Sequence, residues 1–171
     1  MSAKPERLFI RLRDVEAGDL AFFFENQRDP VAVAMVAYHS RDRAAFAQHW
    51  AKVMTDETVL KKTIVVASAA SADPRVEQVA GNINSWTADG KREVGYWLGR
   101  AFWGRGIATA ALTAFLRLEP TRPLYASAAQ HNAASLRVLQ KCGFTISVSA
   151  GEPSNGADVP RVLLTLSTAA P

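Results

Sequence analysis

The sequence predicts an α/β (α+β) domain, built as a mixed, mostly antiparallel sheet of about seven strands with helices on both faces. Three observations predict it. Period-two and β-branched runs alternate with helical-period runs in the order β-α-α-β-β-β-α-β-α-β-β. A strand–helix–strand crossover in the middle, right-handed as such connections are, sets two strands side by side and parallel. The chain has 171 residues, 49% of them apolar, which suits a single domain, 1–171, whose core needs no metal or disulfide.

Each element carries its own signal. In "LFIRLR" (8–13), Leu8, Ile10 and Leu12 face one way and Phe9, Arg11 and Arg13 the other, a half-buried strand. "EAGDLAFFFENQRDP" (16–30) has helical spacing, and Pro30 is expected to end it. "RDRAAFAQHWAKVM" (41–54) follows as a second helix, with Ser40 the expected N-cap, Asp42 in the first turn, and Phe46, Trp50 and Val53 on one face. "KTIVVAS" (62–68) reads as a buried strand and 71–79 as a turn region. "AGNINSW" (80–86) and "REVGYWLG" (92–99) are strands joined by "TADGK", completing an antiparallel meander. "IATAALTAFLRL" (107–118) is a helix stopped by Pro120 and Pro123. "PLYASAA" (123–129) is a strand, and "NAASLRVLQKCG" (132–143) a helix with Asn132 as N-cap and Gly143 past its end. "FTISVSA" and "RVLLTLS" close the sheet around the polar loop "GEPSNGADVP".

Composition narrows the function classes. A net charge of +4 suits an anionic ligand such as a nucleotide. No Lys/Arg stripe forms, so nucleic acid is not an expected partner. One cysteine, Cys142, allows no internal disulfide. No apolar run approaches the roughly 20 residues of a membrane helix, and residues 1–14 lack the apolar core of a signal peptide. A cytoplasmic protein without a membrane partner is expected. The three histidines show no ligand spacing with Cys or carboxylates, so no metal is expected.

The stretch "GRAFWGRGIATAAL" (99–112) sets glycines beside aromatics at the mouth of a helix. The first N–H groups of a helix lack internal partners, and the helix end carries partial positive charge. With Gly104, Gly106 and small Ala108 there, an anion can reach bare amides, and Arg105 adds a cation. A tight turn that needs glycine for its dihedrals alone explains the stretch equally well. A phosphate loop of the Lys-Ser/Thr type is excluded because Ile107 follows the last glycine. A dinucleotide fingerprint fits poorly: Thr109 stands where its last Gly or Ala belongs, and the acidic residue nearest the required distance is Glu119, at a helix end.

"VGYWLGRAFWGRGIATAAL" followed by "PLYASAAQHNAASLRVLQKCGF" resembles the GCN5-related N-acetyltransferase (GNAT) superfamily, in particular its RimJ/RimL-like branch. The "GRGIAT" helix opening, the "N-x-x-S" start of the next helix and the "KCGF" ending carry the resemblance, over about residues 92 to 147. It implies a GNAT-like sheet splayed at its two central parallel strands, with acetyl-coenzyme A as acyl-donor co-substrate in the gap. It also implies a homodimer, as is frequent in the family. The usual Gln or Arg at the start of the pyrophosphate loop is replaced by Trp103, while Gly106 and Ala108 match.

On the resemblance, the pyrophosphate lies on residues 103–109: Trp103, Gly104, Arg105, Gly106, Ile107, Ala108 and Thr109. The backbone of Tyr96, Trp97 and Leu98 pairs with the pantetheine arm, and Gly95 marks a bulge that starts the splay. Asn132 contacts the same arm, besides being a good N-cap. Ser135, one turn on, hydrogen-bonds the departing thiolate. His131 lies beside Asn132, and Cys142 reads as core filler.

The implied chemistry is direct attack of a neutral amine on a thioester. An α-amine, with a pKa near 7.7–8.0, is roughly a tenth neutral at pH 7, whereas a lysine near 10.4 is neutral about once in a few thousand. A protein N-terminal amine or a small-molecule amine is therefore the expected acceptor. Glu93, at the start of the splayed strand, is the candidate base, acting directly or through water. Residues 22–50, with Arg28, Asp29, Arg41 and Arg43, are expected to shape the acceptor cleft. A non-catalytic coenzyme A-binding module, or an interaction domain whose glycines serve only a turn, are the alternatives.

Overall fold

The computed structural model describes residues 8–68, 77–148 and 159–168. The expected turn at 71–79 and the loop 151–160 lie largely outside the described residues. Thirteen elements run in the order β1 (Leu8–Asp14), α1 (Asp19–Gln27), α2 (Pro30–Val36), α3 (Arg43–Thr55), β2 (Leu60–Ser68), β3 (Gln78–Ala88), β4 (Lys91–Leu98), a 3-10 turn (Arg100–Phe102), α4 (Ile107–Leu116), β5 (Leu124–Ala129), α5 (Ala133–Lys141), β6 (Thr145–Val148) and β7 (Arg161–Leu166).

One seven-stranded sheet has the order β1-β2-β3-β4-β5-β7-β6. Every pairing is antiparallel except β4–β5. Asp89 and Gly90 close the β3–β4 hairpin with positive φ at both positions (48° and 73°), the geometry that matches strand twist in two-residue turns.

One face of the sheet carries α4 and α5. In α4, Ile107, Ala111, Leu112, Phe115 and Leu116 are buried against Ile64, Ile83, Val94, Leu124 and Leu164. Leu112 and Phe115 are wholly buried, worth roughly 1.5–3 kcal/mol each in removed apolar surface. The other face carries α1 and α3, where Phe23, Phe24, Phe46 and Trp50 interlock in tilted and edge-on aromatic pairs. The expected alternation of β1 holds: Leu8, Ile10 and Leu12 pack on the first core while Phe9 is exposed.

Three local expectations are corrected. Pro30 does not simply end a helix. It is the first residue of α2, whose N-cap Asp29 accepts from the amides of Val31 and Ala32. Proline fits there because that N–H has no helical partner anyway. The N-cap of α3 is Asp42, accepting from Ala45 N at 2.8 Å, and not Ser40. Gly95 makes no bulge in the β3–β4 ladder, which runs in register from Gly81–Leu98 to Ala88–Lys91. Register shifts lie instead in β2–β3, between Ile64 and Val65, and in β6–β7, between Ile146 and Val148. Gly95 is small because a Cβ there would stand 3.0 Å from the Trp86 ring.

Two buried carboxylates tie helices to the sheet. Asp19 takes a bidentate pair from Arg13 at 2.7 Å and a hydrogen bond from the Thr63 hydroxyl at 2.6 Å, fixing α1 against β1 and β2. Glu119, just beyond α4, accepts from the Ser85 hydroxyl, from Arg92 Nε at 2.8 Å and from Thr121 N at 3.1 Å. Burial alone would raise the Glu119 carboxyl, but these donors bring it down to about 2. Its stabilising effect is therefore present above the unfolded value near 4.5 and is lost as pH falls toward about 2. Acid unfolding of Glu119→Gln should show a flattened stability slope between those limits, with a loss on the order of 3 kcal/mol at neutral pH. An unchanged slope would contradict the assignment. Gly81 is under a different constraint, since a Cβ there would sit 1.9 Å from the Trp97 carbonyl oxygen. Gly81→Ala should cost about 2 kcal/mol or more in urea unfolding, by forcing β3 and β4 apart.

Candidate active site

The β4–β5 ladder is two pairs long, Arg92–Leu124 and Glu93–Tyr125. Beyond it the two central strands part, and their facing edges border two adjoining cavities. The larger, about 420 Å³, runs from the parted strands to the start of α4. The smaller, about 160 Å³, lies deeper in the split. Val36, Tyr96, Trp97, Asn132 and Ser135 line both and form the wall between them.

The glycine stretch sits at the far end of the larger cavity. Gly104 and Gly106 have φ of 71° and 74°, so the turn does require glycine. A Cβ on either would meet nothing within 4 Å, so the space above the backbone is open as well. No side chain caps the first turn of α4. Uncapped amides, open space and partial positive charge together fit a diphosphate. The cofactor-binding residues expected from sequence line this cavity, apart from Arg105, which is exposed beside it. Arg137 and Lys141, one turn apart on α5, add two cations to the rim. Sequence reasoning passed over them, although basic residues at i and i+4 on the helix after the crossover were a usable signal.

Trp103 folds back on β4, its indole N–H donating to the Leu98 carbonyl at 2.9 Å. That carbonyl is thereby satisfied. Asn132 uses both ends of its amide: Oδ1 caps α5 through Ser135 N at 3.0 Å, and Nδ2 donates to Met35 O at 3.1 Å. His131 Nε2 lies 2.9 Å from Ala34 O and holds α2 in the same way.

Ser135 Oγ stands 2.9 Å from the Tyr96 hydroxyl, at the junction of the two cavities. Burial raises the Tyr96 phenol to about 12, against a smaller lowering by the Ser135 hydrogen bond. It therefore stays protonated near neutral pH. Its hydroxyl is a site group that the sequence reading missed, having assigned Tyr96 only a backbone role. Glu93 lines the smaller cavity, and burial pushes its carboxyl above the ordinary range, with Lys91 opposing. Arg28 and Arg43 stack over Phe24, while Asp29 caps α2 and pairs with Arg100 at 3.1 Å; none of them lines either cavity. Buried Cys142, its thiol raised by burial, is core. Among the described residues, no group of three His, Cys, Asp or Glu could hold a metal ion, and no helix is long and apolar enough to cross a membrane.

A family model described as an acetyltransferase (GNAT) domain matches residues 10–145. The chain belongs to the GNAT acetyltransferase family. Solved structures share its fold. The Vibrio cholerae spermidine N-acetyltransferase, solved with coenzyme A and spermine, superposes with a TM-score of 0.73 at 16% identity, covering 92% of this chain and 95% of that one. A GNAT-family acetyltransferase from Bacillus anthracis gives 0.71 at 17% identity, covering 96% of each chain. The microcin C7 self-immunity acetyltransferase MccE, solved with acetyl-coenzyme A and AMP, gives 0.70 at 19% identity, covering 93% of this chain and 92% of that one. Comparison with curated proteins gives no match.

The cradle at α4 is testable by charge. Wild type should gain several degrees of melting temperature with acetyl-coenzyme A, and Gly106→Glu should gain none, because a carboxylate then stands where phosphate belongs. Gly106→Ala bears the same backbone strain without the charge and should retain a reduced shift. Equal shifts in all three would move the cofactor elsewhere.

Proposed function

We propose that this protein transfers the acetyl group of acetyl-coenzyme A to the primary amine of a small molecule or a protein N-terminus, as a RimJ/RimL-like member of its family. The carrying observation is the Tyr96–Ser135 hydroxyl pair at the junction of two cavities, one ending on uncapped helix amides and the other lined by the half-buried Glu93 carboxylate. The coenzyme A-bound relatives support the donor, and the spermine complex supports an amine acceptor. Cys142 is a buried free thiol, and a thiol-reducing compartment suits the chain, so the cytoplasm is the proposed place of action.

Bound acetyl-coenzyme A supplies a thioester already activated toward attack, so no covalent enzyme intermediate is needed. The remaining tasks fall to the chain. The amides of 106–109 hold the diphosphate, with Arg137 and Lys141 nearby. Backbone in the Trp97–Leu98 region supplies an N–H for charge building on the carbonyl oxygen, an effect typically worth ~2.7–4 kcal/mol per donor. Ser135 and Tyr96 donate to the departing sulfur. Full proton transfer from Tyr96 is disfavoured: a phenol at about 12 facing a thiolate of pKa ~8.5 is uphill by roughly 4–5 kcal/mol. The pair acts by hydrogen bonding. Glu93, its carboxyl raised by burial, accepts the proton of the attacking amine.

Thiol release in the presence of acetyl-coenzyme A and a panel of primary amines tests this reading. Amine-dependent release is expected; cofactor binding without release on any amine would leave only the binding-module alternative. Tyr96→Phe should lower kcat roughly 10- to 100-fold with little change in the KM for the cofactor, as loss of a hydrogen bond made to developing charge requires. The pH–rate profile should rise through the raised Glu93 ionisation, and Glu93→Gln should abolish that limb.

A further inference from the structure

The smaller cavity carries one residue for which acetyl transfer alone has no use. Arg161, on β7, reaches across β5 into the split. Its NH1 donates to Val36 O at 2.9 Å, its NH2 to Ser127 O at 3.1 Å and its Nε to Ser127 Oγ at 3.2 Å. Every one of these acceptors is uncharged. The guanidinium stacks on the Tyr38 ring, 4.5 Å from its centroid. Among the described residues no carboxylate pairs with it. A guanidinium has five N–H donors, and three are used here. A half-buried cation with only neutral partners is incompletely compensated and favours an anion at its remaining donors.

Glu93 lines the same cavity from β4. The registers Trp86–Glu93, Glu93–Tyr125 and Ala129–Arg161 put Glu93 and Arg161 on one face of the sheet, on either side of β5's open edge. The cavity thus offers one carboxylate and one guanidinium within about 160 Å³. A polycation such as spermine would gain one attraction and meet one repulsion. A small zwitterion would satisfy both groups, its amine toward Glu93 and its carboxylate toward Arg161.

We infer that the acceptor is a primary amine carrying its own carboxylate, and that Arg161 is the residue that selects for it. This rests on the acetyl-transfer reading above and goes beyond it by naming the acceptor's chemistry. The carboxylate can belong to a free amino acid or to an acidic first residue of a peptide.

Matched pairs test the inference: free amino acids against their carboxamides, and peptides beginning with Asp against the same peptides beginning with Asn. Compared per neutral amine, since the α-carboxylate raises the ammonium pKa of a free amino acid above that of its carboxamide, wild type should favour the carboxylate member of one series by roughly 10- to 100-fold in kcat/KM, mostly through KM, the usual range for a charge-assisted hydrogen bond. The series in which the preference appears identifies the source. Arg161→Met should bring that ratio close to one, and Arg161→Lys should keep part of it. Were Arg161 only a clasp for α2, both members of each pair would fall together with the ratio unchanged, which would overturn the proposal. So would wild type acetylating carboxamides or spermine as readily as acids; that comparison needs no variant to fold. Turnover of no amine at all, with the thermal shift by acetyl-coenzyme A intact, would instead refute the acetyl-transfer reading and this inference with it.

Discussion

Two neighbouring parallel strands are held together at one end and kept apart at the other, and the rest of the site depends on that. The closed end is fixed by charge. Arg92 stands in the first of only two β4–β5 pairs, and its guanidinium meets Glu119 and Ser85 beneath the end of α4. Glu119 is almost fully buried, yet three donors keep it ionised. A buried ion pair of this kind is costly to break and hard to move, which suits a hinge that must not slide. Past Glu93 the strands lose each other as partners. Exposed main-chain edges in an interior need hydrogen bonds from somewhere, and an extended, amide-bearing ligand arm can supply them as an added strand would.

A second set of contacts joins α2 to the start of α5 and to β7 around the two cavities. The carbonyls at the end of α2, those of Ala34, Met35 and Val36, have no helical partners. They meet His131, Asn132 and Arg161, one residue each. Asn132 is the shared part, since it also caps α5 and so positions Ser135. The short helix bordering both cavities and the helix bearing the Ser135 hydroxyl are thus set by one side chain. Displacing α2 would disturb both cavities at once.

Much of this was legible in the sequence because it is written locally. Alternation in Leu8–Arg13, the Asp89-Gly90 hairpin, the Asn132 cap and the glycines ahead of α4 each depend on neighbours within a few residues. The failures were of two kinds. Where two residues compete for one role, local chemistry did not choose between them: Ser40 and Asp42 both suit an N-cap, and Pro30 both stops one helix and starts the next. Where the partner is remote, nothing in the sequence announced it. Arg161 meets Val36 across 125 positions, and Tyr96 meets Ser135 across 39. Trp103, which breaks the family's pyrophosphate pattern, gives no local hint that its indole would satisfy the Leu98 carbonyl.

The proposed acetyl transfer depends on a diphosphate resting on main-chain nitrogen at the mouth of α4 while the attached arm lies in the β4–β5 split. A crystal structure of the protein with acetyl-coenzyme A tests it most directly. The account predicts phosphate oxygens within hydrogen-bond distance of the amides of residues 106–109, and the thioester sulfur beside the Ser135 and Tyr96 hydroxyls. A cofactor bound with its diphosphate away from those amides, or with the strands zipped together beyond Glu93, would contradict it.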